Sequence, residues 1–260
     1  MHEQNPQAVE TAYLSIGESE MYSEVAGAGE PVLFLHGGFC SIESLRAQQD
    51  ALLGDFRVFA FERPGHGRTA DIEGDYHYAR WLTDTLAYLD AQGLSDAHIV
   101  GYSDGAILGL LLAMAHPERV RSVVAIGANL DPSVFSDPSD EDALLSPPDD
   151  GEDKDGLERM HYARLSPDGP EHAQTVIDKL LRLWSSEPNI DPAELSRIHA
   201  RTLIMAGDRD LIPPAHTLQI AAAIPGAQLC ILPGTSHWLH AERPALVSQL
   251  IREFLLEERR

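Results

Sequence analysis

The sequence predicts an α/β protein: a mostly parallel sheet covered by helices on both faces, with a helical insertion in its second half. Three observations carry this. Short apolar runs of strand length alternate with longer segments of helical periodicity. The first thirty residues hold two strand-like runs around a tight turn. One stretch, Leu130 to Ser196, breaks the alternation with no strand signal. At 260 residues, 43% hydrophobic and 23% charged, the chain can bury a core without disulfides or structural metals.

The elements follow in order. Ala12–Ile16 and Met21–Val25 flank Gly17–Glu18–Ser19, which predicts an antiparallel hairpin at the sheet edge. Val32–Leu35, Arg57–Phe61, Ile99–Tyr102, Ser122–Ile126, Thr202–Ala206 and Gln228–Leu232 read as short strands. Ser41–Leu53 reads as a helix. So does Tyr78–Gln92, with Leu82, Leu86 and Leu89 at helical spacing and Gly93 as its stop. A third, Ala106–His116, ends at Pro117. Its Ile107, Leu108, Leu110, Leu111, Leu112 and Met114 are apolar nearly all round, so it should be buried on more than one side.

Leu130–Ser196 is expected to be an inserted helical cap, dividing the core into residues 1–129 and 197–260. Its first part, Asp131–Glu158, holds eleven acids and four prolines; Leu157–Leu165 and Ala173–Trp184 follow as weakly amphipathic stretches. A disordered acidic linker over Pro132–Gly156 is the alternative.

Charge and composition exclude several functions. Forty-one acids against nineteen bases give a formal charge of -22, which argues against nucleic acid and against anionic membrane surfaces. Only Lys154 and Lys179 are lysines; the other bases are arginines, unsuited to Schiff-base chemistry. No run approaches the ~20 apolar residues of a membrane span, and the polar, acidic Met1–Glu10 does not read as a signal peptide. A cytoplasmic protein with two buried free thiols, Cys40 and Cys230, is expected. The twelve histidines lack HExxH or paired ligand spacing, so no metal is expected; the serine chemistry read below needs no cofactor.

The chemistry centres on Gly101–Tyr102–Ser103–Asp104–Gly105, a G-x-S-x-G pattern. It follows the run His98–Val100 and opens the Ala106 helix, the strand–turn–helix context in which such a serine is pushed clear of the sheet. A capped glycine-rich turn is the bland reading. Serine needs a base. His237, in the Gly234–Trp238 loop after the last strand, is the candidate; His240 competes but sits one turn into the next helix. The base needs an orienting carboxylate. Asp210, in the Gly207–Asp210 loop one strand earlier, is preferred to Asp208, which suits a turn-capping role. An oxyanion hole needs two backbone donors. Asp104, after the nucleophile, offers one. His36–Gly37–Gly38–Phe39 offers the other, through Gly38 or, as second choice, Phe39. His36 is read as holding that loop by hydrogen bonds.

Together these pieces resemble the α/β-hydrolase family, in which Ser103, Asp210 and His237 follow the family's order. Arg63–Pro64–Gly65–His66–Gly67–Arg68–Thr69 looks like its G-x-G-x-S/T loop, with Glu62 where aspartate is common. The resemblance implies an eight-stranded, mostly parallel sheet with a lid after the sixth strand. It argues against the dehalogenase and epoxide-hydrolase branches, whose nucleophile is aspartate. Ile99–Ala106 looks most like the small lidded serine esterases: the valacyclovir-hydrolase-like, enol-lactonase-like and haloperoxidase-like enzymes. In the first group the aspartate after the nucleophile is associated with a substrate amine, which here would be Asp104; stabilisation by the helix dipole or a role in shaping the pocket are the alternatives. Phe39, Cys40, Tyr102 and Trp238 are expected at the pocket wall, with Leu157, Met160 and Trp184 from the cap.

The expected activity is serine hydrolysis of a small ester, lactone or thioester. Carbon–carbon hydrolysis or perhydrolysis by the same triad, and a ligand receptor on a hydrolase fold, are the alternatives. Asp131–Arg159 carries a net -9 of the total charge, so a negative lid would disfavour anionic substrates.

Overall fold

The structure is a computed structural model and describes residues 8–135 and 154–257. Eight strands form one sheet: β1 (Glu10–Ile16), β2 (Ser19–Gly27), β3 (Glu30–Leu35), β4 (Phe56–Phe61), β5 (Ala97–Tyr102), β6 (Val120–Ile126), β7 (Arg201–Gly207) and β8 (Gln228–Leu232). Their spatial order is β1-β2-β4-β3-β5-β6-β7-β8. β1 and β2 form the antiparallel edge hairpin, paired from Ile16–Ser19 to Glu10–Val25, and β2 runs antiparallel to β4. All other pairs are parallel. The mostly parallel eight-stranded sheet is as expected.

The helices among the described residues are α1 (Arg46–Leu52), α2 (Tyr78–Ala91), α3 (Asp104–Ala115), α4 (Lys154–Leu165), α5 (Ala173–Ser186), α6 (Pro214–Ala223), α7 (Leu239–Glu242) and α8 (Pro244–Leu256). Alternate strand residues feed two apolar layers. Val32, Phe34, Val58, Ala60, Val100 and Val124 face α1 and α8; Leu33, Leu35, Phe59, Phe61, Ile99 and Val123 face α2, α3 and α6. This double burial explains why the central strands read as continuous apolar runs. Each fully buried side chain of this size contributes about 1.5–3 kcal/mol. α3 is buried almost all round, as its composition predicts.

The expected Ser41–Leu53 helix is divided. Ser41 and Ser44 exchange side-chain bonds with each other's turn: Glu43 N–H donates to Ser41 Oγ, and Ser41 N–H to Ser44 Oγ. They close a single 3-10 turn, Ile42–Leu45, before α1 begins. Local serine hydroxyls compete with α-helical bonding in this way.

Between β6 and β7 the described elements are all helical: a 3-10 turn at Pro132–Phe135, then α4, a 3-10 turn at Pro170–His172, α5 and a 3-10 stretch at Pro192–Arg197. α5 turns Val176, Leu180 and Leu183 into the core layer of α2 and α3. Polar ties hold it to the 71–78 segment. Asp71 Oδ2 accepts from Lys179 Nζ at 2.7 Å and pairs with His172 Nε2 at 2.8 Å. At the other end, Glu187 accepts the Tyr78 amide at 3.0 Å and pairs with His77 at 2.7 Å. Most of the acidic run assigned to the negative lid, residues 136–153, lies outside the described residues. Among the described residues no helix is long and apolar enough to cross a membrane. Cys40 and Cys230 are free thiols, Cys40 buried and Cys230 half-buried.

Candidate active site

β5 leads into Ser103, which caps α3 with φ +52° and ψ −118°. A non-glycine residue rarely holds such a conformation, and it costs about 1–3 kcal/mol. Hydrogen bonds on both sides impose it. Ser103 N–H donates to Ile126 O at 2.8 Å, while Ser103 O accepts from Ala106 N at 2.8 Å and Ile107 N at 3.0 Å. The flanking glycines are steric requirements. A Cβ on Gly101 would lie 2.2 Å from Gly105 O, and one on Gly105 would lie 2.0 Å from Leu35 O. The G-x-S-x-G pattern is therefore what lets α3 start directly against β3 and β5.

His237 and Asp210 come together on the loops after β8 and β7. His237 Nδ1 lies 2.7 Å from Asp210 Oδ1, which also accepts Ile212 N–H at 2.9 Å. Burial disfavours the imidazolium, but the Asp210 charge and hydrogen bond outweigh it and hold the His237 pKa above the ordinary histidine value. Asp208 takes the role expected of it. Its Oδ1 accepts the Gly234 and Thr235 amides at 2.6 and 3.2 Å and so fixes the base of the histidine loop. His240 is buried with neither ring nitrogen hydrogen-bonded. Its ring lies against Tyr102, centroids 4.1 Å apart. Tyr102 itself is buried and also packs against His237 at 5.1 Å and Trp238 at 5.8 Å. The residue before the nucleophile, Tyr102, is thus the one whose ring packs against the His237 imidazole.

His36 holds the loop after β3. Its Nε2 accepts Arg63 N–H at 3.1 Å, leaving Nδ1–H to donate to Gly37 O at 2.7 Å. The Arg63 guanidinium donates to the same carbonyl at 3.0 Å. Phe39 follows with φ +55°. The loop is tied from behind by Glu62, which accepts Ile42 N–H at 3.1 Å and Arg68 at 2.7 Å. Burial pushes Glu62 up to about 7 against the pull of Arg68.

Asp104 is 1% exposed. As the first residue of α3 its amide has no intrahelical acceptor. Its carboxylate Oδ1 accepts from Tyr78 Oη at 2.7 Å and from Trp184 Nε1 at 2.9 Å. Burial raises its pKa, opposed by the field of Arg63 and by those two hydrogen bonds. Arg63 is fully buried over the Trp81 ring, its pKa brought down to about 10 by burial, so it stays cationic at neutral pH.

Of the expected cap contributors, only Trp184 packs into this region. A Cβ built on Gly38 would lie 2.3 Å from its ring. Leu157 and Met160 are 43% and 57% exposed and point to solvent, because α4 has little amphipathic character to orient them inward. Tyr78, Arg63 and Tyr162 join the site without having been assigned to it. Arg63 opens the stretch that resembles the family's G-x-G-x-S/T loop, whereas Tyr78 and Tyr162 carry no local motif.

Residues 32–250 match the model of the alpha/beta hydrolase family. Among the relatives, the chain is 30% identical to a 2-hydroxymuconate semialdehyde hydrolase of Pseudomonas putida, with 89% of each covered. It is 35% identical to the "Putative carbamate hydrolase RutD" of Azorhizobium caulinodans over 44% of this chain, spanning less than half (43%) of that relative. Among solved structures, the enol-lactonase from Burkholderia xenovorans LB400 superposes with a TM-score of 0.77 at 21% identity, over 94% of this chain and all of that one, a likeness of fold. The match to the family model, with the sheet order and the glycine-flanked Ser103 turn, makes this chain a member of the alpha/beta hydrolase family.

Proposed function

We propose that this hydrolase cleaves a small carboxylic ester, lactone or thioester through an acyl-enzyme on Ser103. The 2.7 Å His237–Asp210 pairing beside the strained Ser103 turn is the observation that carries the reading. A carboxylate can only accept at Nδ1, so the proton sits there and Nε2 is left as the basic nitrogen. His237 takes the Ser103 proton as Oγ attacks the carbonyl carbon. The Gly38 and Asp104 amides receive the developing oxyanion. His237 then gives that proton to the departing alkoxide or thiolate. Water, deprotonated by His237, releases the acid and restores Ser103. Residues 130–196 act as the lid, and Phe39, Tyr102 and Trp238 border the acyl site. No cofactor takes part in these steps.

Carbon–carbon hydrolysis of a vinylogous diketone by the same residues is the second reading, favoured by the full-length likeness to a 2-hydroxymuconate semialdehyde hydrolase. One panel separates the two: p-nitrophenyl esters, a lactone, a thioester, a carbamate and a dienoate diketone, assayed with wild type and Ser103→Ala. Ester turnover abolished in a folded Ser103→Ala supports the first reading. Turnover of the diketone alone supports the second, and full ester activity in Ser103→Ala rules out both.

A further inference from the structure

Both segments assigned to the oxyanion hole carry an aromatic ring from the helical segment between β6 and β7. On the first, Phe39 holds φ +55° directly after Gly38. Its ring stacks on Tyr162 of α4, centroids 5.2 Å apart and 16° from parallel. Tyr162 is buried, and the Arg159 guanidinium stands 5.9 Å from the Phe39 centroid. On the second, Trp184 of α5 donates to Asp104 Oδ1 at 2.9 Å. The same indole presses on Gly38, where a Cβ would meet it at 2.3 Å, so it touches both donor residues at once. α5 is in turn anchored through Lys179 and Glu187.

A left-handed phenylalanine is costly and persists only where its surroundings impose it. Phe39 gains that from a stacked partner outside its own loop. The Gly38 amide lies in the peptide just before the Gly38–Phe39 link, so a Phe39 held in place holds the short chain that carries it, and the Asp104 amide depends on where its side chain is held. Donors misaimed by a fraction of an ångström lose transition-state stabilisation while ground-state binding changes little.

We propose that Tyr162 and Trp184 are positioning residues that set the two oxyanion donors, Tyr162 through Phe39 and Trp184 through Asp104 and Gly38. The proposal rests on the serine-hydrolase reading above.

The test is steady-state hydrolysis of p-nitrophenyl butyrate by wild type, Tyr162→Phe, Tyr162→Leu, Trp184→Leu and Phe39→Gly, with circular dichroism of each and labelling of Ser103 by a fluorophosphonate. Tyr162→Leu and Trp184→Leu are expected to lower kcat by about tenfold or more with KM changed less than about threefold, short of the 10²–10³ for removing a donor outright. Tyr162→Phe keeps the stack and should keep wild-type kcat. If either leucine variant fails to fold, Phe39→Gly removes the stack from the side of the loop and should show the same loss in kcat. Leucine variants with wild-type kcat, a loss confined to KM, or a Tyr162→Phe as impaired as Tyr162→Leu would overturn the proposal while the hydrolase reading stands. A wild type that neither turns over the ester nor is labelled would overturn both.

Discussion

His237 Nδ1 and Asp210 Oδ1 lie 2.7 Å apart, and the same carboxylate oxygen accepts the Ile212 amide at 2.9 Å. The backbone bond fixes the carboxylate, and the carboxylate fixes the imidazole, so the tautomer of His237 is set by a loop two strands removed from the nucleophile turn.

Asp210→Asn should lower kcat/KM for a p-nitrophenyl ester by about 10²–10⁴-fold, since an amide can stabilise the wrong tautomer and cannot offset the imidazolium charge. It should also move the acid limb of the pH profile. In wild type, the Asp210 charge and bond hold His237 above its ordinary value despite burial. Activity needs the neutral base, so kcat/KM falls as pH drops through that raised pKa. Without the carboxylate, burial dominates, and the limb should shift to lower pH. A pH–rate profile of both proteins checks this; an unmoved limb would count against Asp210 as the partner.

Gly105→Ala tests the steric basis of the nucleophile turn. The added Cβ would sit 2.0 Å from Leu35 O, a backbone atom of a central strand that cannot swing aside. Overpacking of this kind costs about 1–3 kcal/mol, and the upper end or more applies where backbone must move. Urea unfolding should show that loss, accompanied by a fall in kcat as α3 and the Asp104 amide are displaced. A variant as stable and active as wild type would show that the turn can relax.

Much of the fold was legible because the central strands are buried on both faces and therefore announce themselves as apolar runs between helices. The residues with local signatures, Ser103 between its glycines and His237 and Asp210 on loops after consecutive strands, could be named from order and spacing. Residues whose role depends on distant partners could not. Asp104 sits in a motif, yet its hydrogen bonds come from Tyr78 and Trp184, 26 and 80 residues away. Nothing in the chain marks those pairs. The Ser41–Ser44 exchange, which splits a predicted helix, was also missed, because the periodicity of the apolar positions continues across it. Leu157 and Met160 were expected at the pocket wall, with the core as the alternative, but both are exposed, and the weak periodicity of α4 marks no inward face in the sequence.

His240 gives a prediction about stability. It is 1% exposed, neither ring nitrogen has a partner, and burial together with the nearby His237 lowers its pKa to about 3, with Glu242 pulling weakly the other way. The unfolded chain takes up this proton near pH 6.5. Neutral His240 therefore adds nothing against acid: stability present above pH 6.5 is lost as pH falls toward 3, by about 1.4 kcal/mol per pH unit for one proton. His240→Phe keeps a ring against Tyr102 and removes that proton. Urea unfolding between pH 6 and 4 should then decline less steeply than wild type by about that slope. His66, also lowered to about 3 by burial, remains in both proteins and cancels in the comparison. Parallel curves would show that His240 does not carry the acid sensitivity.

The same geometry bears on whether Asp104 receives a substrate amine, as the resemblance to valacyclovir-hydrolase-like enzymes implies. An ammonium site needs a carboxylate that substrate can reach. Asp104 is 1% exposed, and its Oδ1 already accepts two hydrogen bonds, from Tyr78 and Trp184. Its Oδ2 has no hydrogen-bond partner but is buried, 2.6 Å from where a Cβ on Gly38 would stand. Its charge is already offset by the field of buried Arg63. An ammonium arriving there would have to displace Trp184 and share the carboxylate with an existing cation, losing most of what a buried ion pair can return for its desolvation. An α-amino p-nitrophenyl ester and its N-acetylated form should therefore be cleaved with kcat/KM values within about threefold of each other, because an unformed pair contributes nothing and a formed one would be worth tenfold or more. Asp104→Asn, which still offers an oxygen to Tyr78 and Trp184, should leave that ratio unchanged. A tenfold preference for the free amine in wild type, lost in Asp104→Asn, would establish the carboxylate as an ammonium site.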